Sequence, residues 1–243
     1  MAVIIPASAT PVQFEAWRVA GDLSRLMPTG WAVVGGQMVQ FHGWRTGNAP
    51  ERATTDLDVA LAIRSERFAL QSATRHLQAA GFTPMQHDSG IEYRWTRASQ
   101  MGEGAKVQVD ILLPRNLGER YPRSITGADG FESAGVQWAT EDACTYDIDV
   151  AGELFTIPVP DLVGAILAKS AAILQEPTSH GRRHSRDLAF LCRIATREDL
   201  ARRVSGAQRD RIARALEACG DDATRDMQQV MGRLAGQAPA FTF

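Results

Sequence analysis

The stretch that decides the fold spans residues 31–63 and reads WAVVGGQMVQFHGWRTGNAPERATTDLDVALAI. A short apolar run opens this stretch and meets the glycine pair Gly35 and Gly36. An Arg-containing polar segment follows, and an Asp-Leu-Asp motif at Asp56 and Asp58 then leads into a second aliphatic run. This order predicts a strand, a tight turn into a helix, a loop and a second strand.

The two aspartates Asp56 and Asp58 lie on one face of the second predicted strand, because strand side chains alternate with a period of two. Adjacent carboxylates repel each other and raise each other's pKa unless a positive charge lies between them. A hard divalent cation is the simplest neutraliser, and Mg²⁺ (or Mn²⁺) fits that role. The glycine turn at the start of the helix directs backbone N–H groups towards an anion. Together these features predict a site for a nucleoside triphosphate and its metal.

The glycine pair followed by Asp56-x-Asp58 resembles the signature of the nucleotidyltransferase superfamily, which has the polymerase-beta-like fold. That signature is a hydrophobic residue, Gly, then Gly or Ser, a helix, and Asp-x-Asp on a strand. The residues just before the aspartates also resemble the bacterial branch typified by the AbiEii abortive-infection toxins. The second glycine is often Ser in that branch, and the spacing here is long, but neither difference removes a metal ligand. The resemblance implies that the nucleotide is bound by Gly35, Gly36, Arg52, Thr54 and Lys169.

Length and composition restrict the class of protein. The chain has 243 residues, enough for one large domain or two small ones, and its net charge of −2 argues against a protein that is basic overall. The three cysteines have no CxxC spacing and predict reduced thiols in the cytosol. No apolar run is long enough to span a bilayer, and the N-terminus has no positive region typical of a signal peptide. We therefore expect a cytoplasmic protein without a membrane partner.

The pattern of the whole chain predicts an α+β fold, a nucleotidyltransferase-like mixed sheet with flanking helices, followed by a helical C-terminal domain. The first part contains predicted helices over 12–26, 37–43 and 65–80, strands over 31–34, 56–63, 91–97 and 106–113, and a hairpin of 145–150 with 154–159. Predicted helices over 161–175, 186–195, 198–219 and 221–236 follow, with a loop over 176–185. We place the domain boundary near residue 159, giving domains of 1–159 and 160–243.

Asp110 is a lone carboxylate in an otherwise apolar half of a predicted strand. One interpretation is a strand-end aspartate that faces water. The preferred one is the third metal carboxylate that the resemblance places beside the Asp-x-Asp strand, because an Asp between Val109 and Ile111 needs a partner. A second Asp-x-Asp, at Asp147 and Asp149, has no glycine turn before it. We interpret that pair as the polar face of a half-exposed hairpin.

Lys169 is one of only two lysines in the chain and lies in a predicted helix that is apolar nearly all round. Its spacing from Leu162, Ile166 and Ile173 places it on an apolar stripe of that helix. Burying a lysine without a partner is costly. Either the side chain extends along the stripe to the surface, or its ammonium points at a triphosphate between the domains. The second interpretation is preferred.

Asp187 opens a later predicted helix, where the helix dipole alone would favour a carboxylate. However, a helix with an inner Lys, a basic loop and then Arg-Asp-Leu again resembles the AbiEii branch. In that branch such a Lys and Asp lie at the active site with the Asp-x-Asp pair. The resemblance thus implies four catalytic residues: Asp56, Asp58, Lys169 and Asp187.

A basic cluster of Arg182, Arg183 and Arg186 lies in and after the predicted loop. It is either a solvated surface or a contact for RNA phosphates. His180 and His184 have the spacing of metal ligands, but no Cys or second His pair accompanies them. A zinc site is therefore not expected.

These motifs predict a Mg²⁺-dependent nucleotidyltransferase that moves NMP from an NTP to an acceptor. Asp56, Asp58 and Asp110 would bind metal, and Asp110 would also help to deprotonate the acceptor hydroxyl. The AbiEii resemblance implies an RNA acceptor, such as a tRNA 3′ end, and a toxin balanced by a cognate antitoxin. Two alternatives stay open: an enzyme that modifies a small molecule such as an antibiotic, and a catalytically silent nucleotide- or partner-binding protein. The intact aspartate pair argues against the silent protein.

Overall fold

The computed structural model describes residues 2–49, 53–85, 90–118, 122–175, 181–202 and 204–236. Arg52 and His180 lie outside the described residues. The strands are β1 (Val3–Ile4), β2 (Trp31–Val34), β3 (Leu57–Leu61), β4 (Thr83–Pro84), β5 (Arg94–Ala98), β6 (Lys106–Leu113), β7 (Phe131–Glu132), β8 (Ala143–Val150) and β9 (Glu153–Pro160). The α-helices are α1 (Pro11–Leu26), α2 (Gly35–Arg45), α3 (Ala69–Ala79), α4 (Val136–Glu141), α5 (Leu162–Gln175), α6 (Gly181–Ile194), α7 (Gly206–Cys219) and α8 (Arg225–Leu234).

The main sheet has the strand order β2-β3-β6-β5-β4, with β7 beside the end of β6. It is mixed, because β3 and β6 are parallel while β2–β3, β5–β6 and β4–β5 are antiparallel. The register pairs Asp58 of β3 with Asp110 of β6, and Asp110 with Arg94 of β5. Paired residues on neighbouring strands point to the same face of a sheet. Three charged side chains therefore lie side by side across three strands.

A second sheet of three strands, in the order β1-β8-β9, packs with helix α1 beside the main sheet. Helix α1 begins with a capping box in which Thr10 and Gln13 bond each other's backbone N–H groups. Its Gly21 lies directly against the ring of Phe155, where an added Cβ would come within 2.2 Å of the ring. The predicted hairpin is confirmed as β8 and β9, and Asp147 is on its exposed side, where the Thr156 hydroxyl donates to it.

The C-terminal part consists of helices α5 to α8, which pack on one another. Asp161 caps α5 as predicted, since its Oδ1 accepts from the N–H of Gly164 at 2.7 Å. Most residues of α5 are buried, as its apolar sequence predicts. The predicted fold class, an α+β region with a mixed sheet followed by helices, is confirmed. The division into two folding domains near residue 159 stays a prediction. No helix among the described residues is long and apolar enough to cross a bilayer.

Two predicted helix boundaries are wrong. Ser65 does not cap a helix; its hydroxyl donates to the carbonyl of Ala62 within a turn, and α3 begins only at Ala69. The single helix predicted over 198–219 is interrupted, because Ser205 forms a capping box with Gln208 that starts α7 anew.

The predicted loop over 176–185 is wrong in its second half, because residues 181–185 belong to the first turns of α6. Residues 176–180 lie outside the described residues. The basic segment forms a helix because its faces differ: Arg182 and Arg183 are exposed, whereas His184 and Ser185 are buried. The arginines of the basic cluster are therefore displayed by a helix rather than by a loop.

Candidate active site

The glycine turn is in direct contact with the aspartate strand. Gly35 has φ +66°, and an added Cβ would lie 1.7 Å from Oδ2 of Asp58, so both the backbone and the space exclude a side chain. A Cβ at Gly36 would lie within 2.8 Å of the side chain of Thr54. Helix α2 begins at Gly35, and no side chain among the described residues caps its N-terminus. The predicted proximity of the glycine pair, Thr54 and Asp58 is thus present in the structure.

A buried hydrogen-bond chain holds the segment that leads to the aspartates. The indole N–H of Trp17 donates to Oε1 of Gln37 at 2.8 Å, and Nε2 of the same glutamine donates to the carbonyl of Thr54 at 3.2 Å. Gln37 is fully buried in α2, so this bond fixes the backbone just before Asp56. No pattern in the sequence indicates this contact, because Gln37 is one of several polar residues on α2.

The pKa of Asp58 is shifted by burial and by several neighbouring charges. Its pKa is raised to about 7, chiefly by burial and then by the neighbouring charge of Asp110. Asp56 also acts to raise this pKa, while Lys169 and Arg183 act to lower it. A carboxylate packed against a glycine turn and close to two others is stabilised by a cation. Asp56 and Asp58 fit a Mg²⁺ site, because Mg²⁺ needs only one or two carboxylates when water and substrate phosphates complete its coordination.

Asp110 is held by an arginine that sequence reasoning missed. Arg94 donates to both carboxylate oxygens of Asp110, at 2.9 Å from Nε and 2.7 Å from Nη2, and Gln108 also donates to them. Asp110 is only 7% exposed and lies within β6, so the interpretation as a strand-end aspartate facing water is wrong. Its role as third metal ligand stays a prediction, because a metal ion would compete with Arg94 for the carboxylate oxygens of Asp110.

No group of three His, Cys, Asp or Glu side chains within the described ranges is arranged to hold a metal. The signal that could have identified Arg94 was its place on a predicted strand next to that of Asp110. Only the pairing of the two strands, which joins distant parts of the chain, brings the two residues together.

Lys169 forms a buried ion pair with Asp187. Its Nζ lies 2.6 Å from Oδ2 of Asp187, and the two side chains are 5% and 7% exposed. The interpretation that Lys169 extends to the surface is therefore wrong. Its negative partner comes from α6 rather than from its own helix. Lys169 nevertheless lines the same cleft as Asp58 and favours its charged form.

The three arginines predicted to bind RNA do not share one environment. All three are exposed on α6. Arg183 lines the cleft and is close enough to Asp58 to lower its pKa, whereas Arg182 and Arg186 do not line the cleft. His184 also lines it. Arg52 and His180 cannot be placed, because they lie outside the described residues.

The cleft has a volume of about 240 Å³ and is lined by charged residues as well as by apolar ones. The charged lining residues are Asp58, Asp110, Arg94, Lys169 and Arg183. The apolar, small and aromatic lining residues include Met38, Leu112, Tyr93, Phe131, Val136, Ala139, Ala168 and Ala172. The rings of Tyr93 and Phe131 are 4.9 Å apart. A cleft that offers both charged groups and an aromatic pair suits a ligand with phosphates and a planar ring.

Comparison with known proteins is informative for the fold alone. No family model matches the chain, and no curated protein matches it. Among solved structures, the chain is similar to an antigenic nucleotidyltransferase-like protein from Paracoccidioides brasiliensis, with a TM-score of 0.54 and 12% identity over 90% of this chain and 94% of that one. The fold is nucleotidyltransferase-like.

A second solved structure, the antibiotic-resistance factor ANT(2'')-Ia, is 13% identical over 77% of this chain and 86% of that chain, with a TM-score of 0.43. That likeness is too weak to support an argument. At such identities a shared fold does not show that two proteins catalyse the same reaction. The function must therefore be argued from the residues of the cleft.

Proposed function

We propose that this protein is a nucleotidyltransferase that depends on a divalent cation and transfers NMP from an NTP to an acceptor hydroxyl. The observation that carries the proposal is the contact between the glycine turn and the aspartate strand. Gly35 leaves just enough space for the Asp58 carboxylate, so the uncapped N-terminus of α2 and this carboxylate line the same cleft. Phosphate and metal are the two ligands that these groups attract.

Each residue has a defined task in this proposal. Asp56 and Asp58 hold Mg²⁺ or Mn²⁺, which, when bound, neutralises the triphosphate and favours the departure of pyrophosphate. The N–H groups at Gly35 and Gly36 bind phosphate oxygens, with Thr54 and Arg52 completing that end of the site. Lys169 and Arg183 supply positive charge where charge grows on the leaving group, and Asp187 holds the Lys169 ammonium in place.

The acceptor in this proposal is RNA, such as a tRNA 3′ end, and the protein acts as a toxin with a cognate antitoxin. Support for the branch comes from Lys169 and Asp187, which the AbiEii resemblance assigned to one site and which form an ion pair beside the cleft. Support for RNA comes from Arg182 and Arg186, which are exposed on the helix that also presents Arg183 to the cleft. A small-molecule acceptor is the competing outcome.

A transfer assay tests the proposal. The purified protein is incubated with each α-labelled NTP, total RNA and Mg²⁺ or Mn²⁺, and labelled RNA is detected after electrophoresis. We expect label from at least one NTP, no label when EDTA is present, and a loss of at least about 10²-fold for Asp58→Asn, which keeps the volume beside Gly35. The matched control is Asp147→Asn in the exposed hairpin, which should transfer like wild type. If Asp58→Asn retained full transfer, the metal assignment would be wrong.

A further inference from the structure

Three arginines from two distant parts of the chain converge on one surface. Arg211 and Arg214 are three residues apart on α7 and therefore lie on the same side of that helix. The guanidinium of Arg211 lies 4.6 Å from the centroid of the Trp138 ring on α4. Arg115, just beyond the end of β6, is close enough to act on the Arg211 charge together with Arg214, and burial and these two charges lower the pKa of Arg211. Arg64 extends the group, since its guanidinium donates to the carbonyl of Arg115 at 2.7 Å.

The cluster holds positive charge that the described part of the chain does not neutralise. Nε of Arg211 is buried and has no hydrogen-bond partner there, and all charged groups that act on Arg211 are positive. Clustered like charges and an unbonded buried donor both cost free energy. Arg202 shows the contrasting case, because it is paired with the carboxylates of Asp142 and Asp161. A cluster left unpaired in this way is suited to an external anion.

The cluster is close to the cleft through one short helix. Val136 and Ala139 of α4 line the cleft, while the ring of Trp138 on the same helix contacts the guanidinium of Arg211. The two surfaces are thus separated by about the diameter of one helix, roughly 10 Å. A polyanion whose end enters the cleft would pass over the arginines within a few nucleotides. Arginine suits such a partner, because its planar guanidinium bonds two phosphate oxygens at once.

We propose that Arg64, Arg115, Arg211 and Arg214 form a binding surface for the phosphate backbone of the RNA acceptor. This inference rests on the proposed function only for the statement that the RNA end enters the cleft. The binding of RNA to the arginines does not depend on it. It assigns the backbone contacts to the far side of α4, in addition to Arg182 and Arg186 on α6. The Trp138 ring packs against the Arg211 guanidinium and holds it within the cluster, where its terminal N–H groups, rather than the buried Nε, are the proposed phosphate donors.

The experiment measures RNA binding without catalysis. A fluorescein-labelled single-stranded RNA and a labelled total tRNA are titrated with the protein, in EDTA, at several salt concentrations. For Arg211→Gln/Arg214→Gln we expect affinity to fall about tenfold and the slope of log K against log[salt] to become shallower by about 1.4, the value for two lost contacts on a single strand. The matched control Arg18→Gln/Arg75→Gln removes the same charge from exposed positions on α1 and α3 and should keep the wild-type slope.

Each outcome decides the inference. An unchanged slope in the α7 variant, or an equal loss in the control, overturns it, as does a wild-type protein that binds neither RNA. If Arg211→Gln lowers the melting temperature strongly, the exposed singles Arg115→Gln and Arg214→Gln are used, each with an expected slope change of about 0.7. Failure of the proposed function is distinguishable, because it would appear as RNA binding with the expected slopes but no labelled RNA in the transfer assay.

Discussion

The two walls of the cleft each carry one ion pair, and the pairs differ in exposure. On the strand wall, Arg94 and Asp110 have side chains that are 35% and 9% exposed. On the helix wall, Lys169 and Asp187 are 5% and 7% exposed. Both members of the helix pair are buried, whereas the Arg94 guanidinium on the strand wall still reaches water. We therefore expect the helix pair to stay intact and Arg94 to be able to exchange Asp110 for a substrate anion.

This difference has an energetic consequence. Removing one partner of a buried pair leaves an uncompensated charge in a region of low dielectric constant, which costs about 3–5 kcal/mol. Removing Asp110 from the strand pair costs about 1 kcal/mol or less, because water reaches the Arg94 side chain that remains, which is 35% exposed. The same kind of substitution should thus affect stability on one wall and mainly substrate binding on the other.

The largest effect is expected for Lys169→Met. We expect the free energy of unfolding to fall by about 3–5 kcal/mol, because Asp187 keeps a buried charge. Transfer should fall by about 10²-fold or more, because the leaving group loses its ammonium. Urea denaturation and the transfer assay give the two numbers. In Lys169→Met/Asp187→Leu, stability should largely return while transfer stays low; recovery of transfer in that double variant would contradict a role for Lys169 in the reaction.

An intermediate effect on stability is expected from protonation of His42, which is buried in α2. His42 of α2 bonds the carbonyl of Pro160, just before α5, through Nε2 at 3.0 Å, and burial, with a smaller effect of Arg45, lowers its pKa to about 3. The ring stays neutral in the folded protein while the unfolded chain takes up a proton below pH about 6.5. Its contribution to stability is therefore complete above pH about 6.5 and is lost as the pH falls towards 3.

The measurement compares wild type with His42→Gln, whose amide can still donate to Pro160. Between pH 7 and pH 5 the wild type should lose about 2 kcal/mol more of its free energy of unfolding than the variant does. Denaturation curves at both pH values give this difference. Parallel losses in the two proteins would mean that His42 does not remain neutral in the fold.

The smallest effect on stability is expected for Asp110. Asp110→Asn should lower the free energy of unfolding by about 1 kcal/mol or less, because the Arg94 side chain that remains is 35% exposed. Arg94→Met should weaken NTP binding by about tenfold, with partial rescue in Arg94→Lys. Asp110→Asn separates the two roles of the aspartate. If Asp110 only holds Arg94, the variant should bind Mn²⁺ like wild type, as measured by titration calorimetry. A loss of Mn²⁺ affinity as large as that of Asp58→Asn would establish Asp110 as the third metal ligand instead.

The parts of the site that could be predicted from sequence are those that local spacing determines. The Gly35 turn and Asp58 belong to one stretch, and the apolar stripe of α5 identified Lys169 as an unusual residue. Arg94 could not be recognised, because its meeting with Asp110 depends on which strands pair. The convergence of Arg115 and Arg211 was hidden for the same reason. The start of α6 was predicted as a loop, because its polar residues hide the buried face that only the packed helices create.

The pairing of β3 with β6, and of Lys169 with Asp187, also sets the order in which the proposed site is assembled during synthesis. Asp58 leaves the ribosome well before Asp110. Asp187 follows Asp58 by more than half of the length of the chain. At about 5–20 residues per second, the interval between Asp58 and Asp187 is on the order of 10 s. A nascent chain that ends before α6 carries all three predicted metal ligands but leaves Lys169 without Asp187. We therefore expect the proposed activity only in chains that include α6, and products terminated before α6 should be inert.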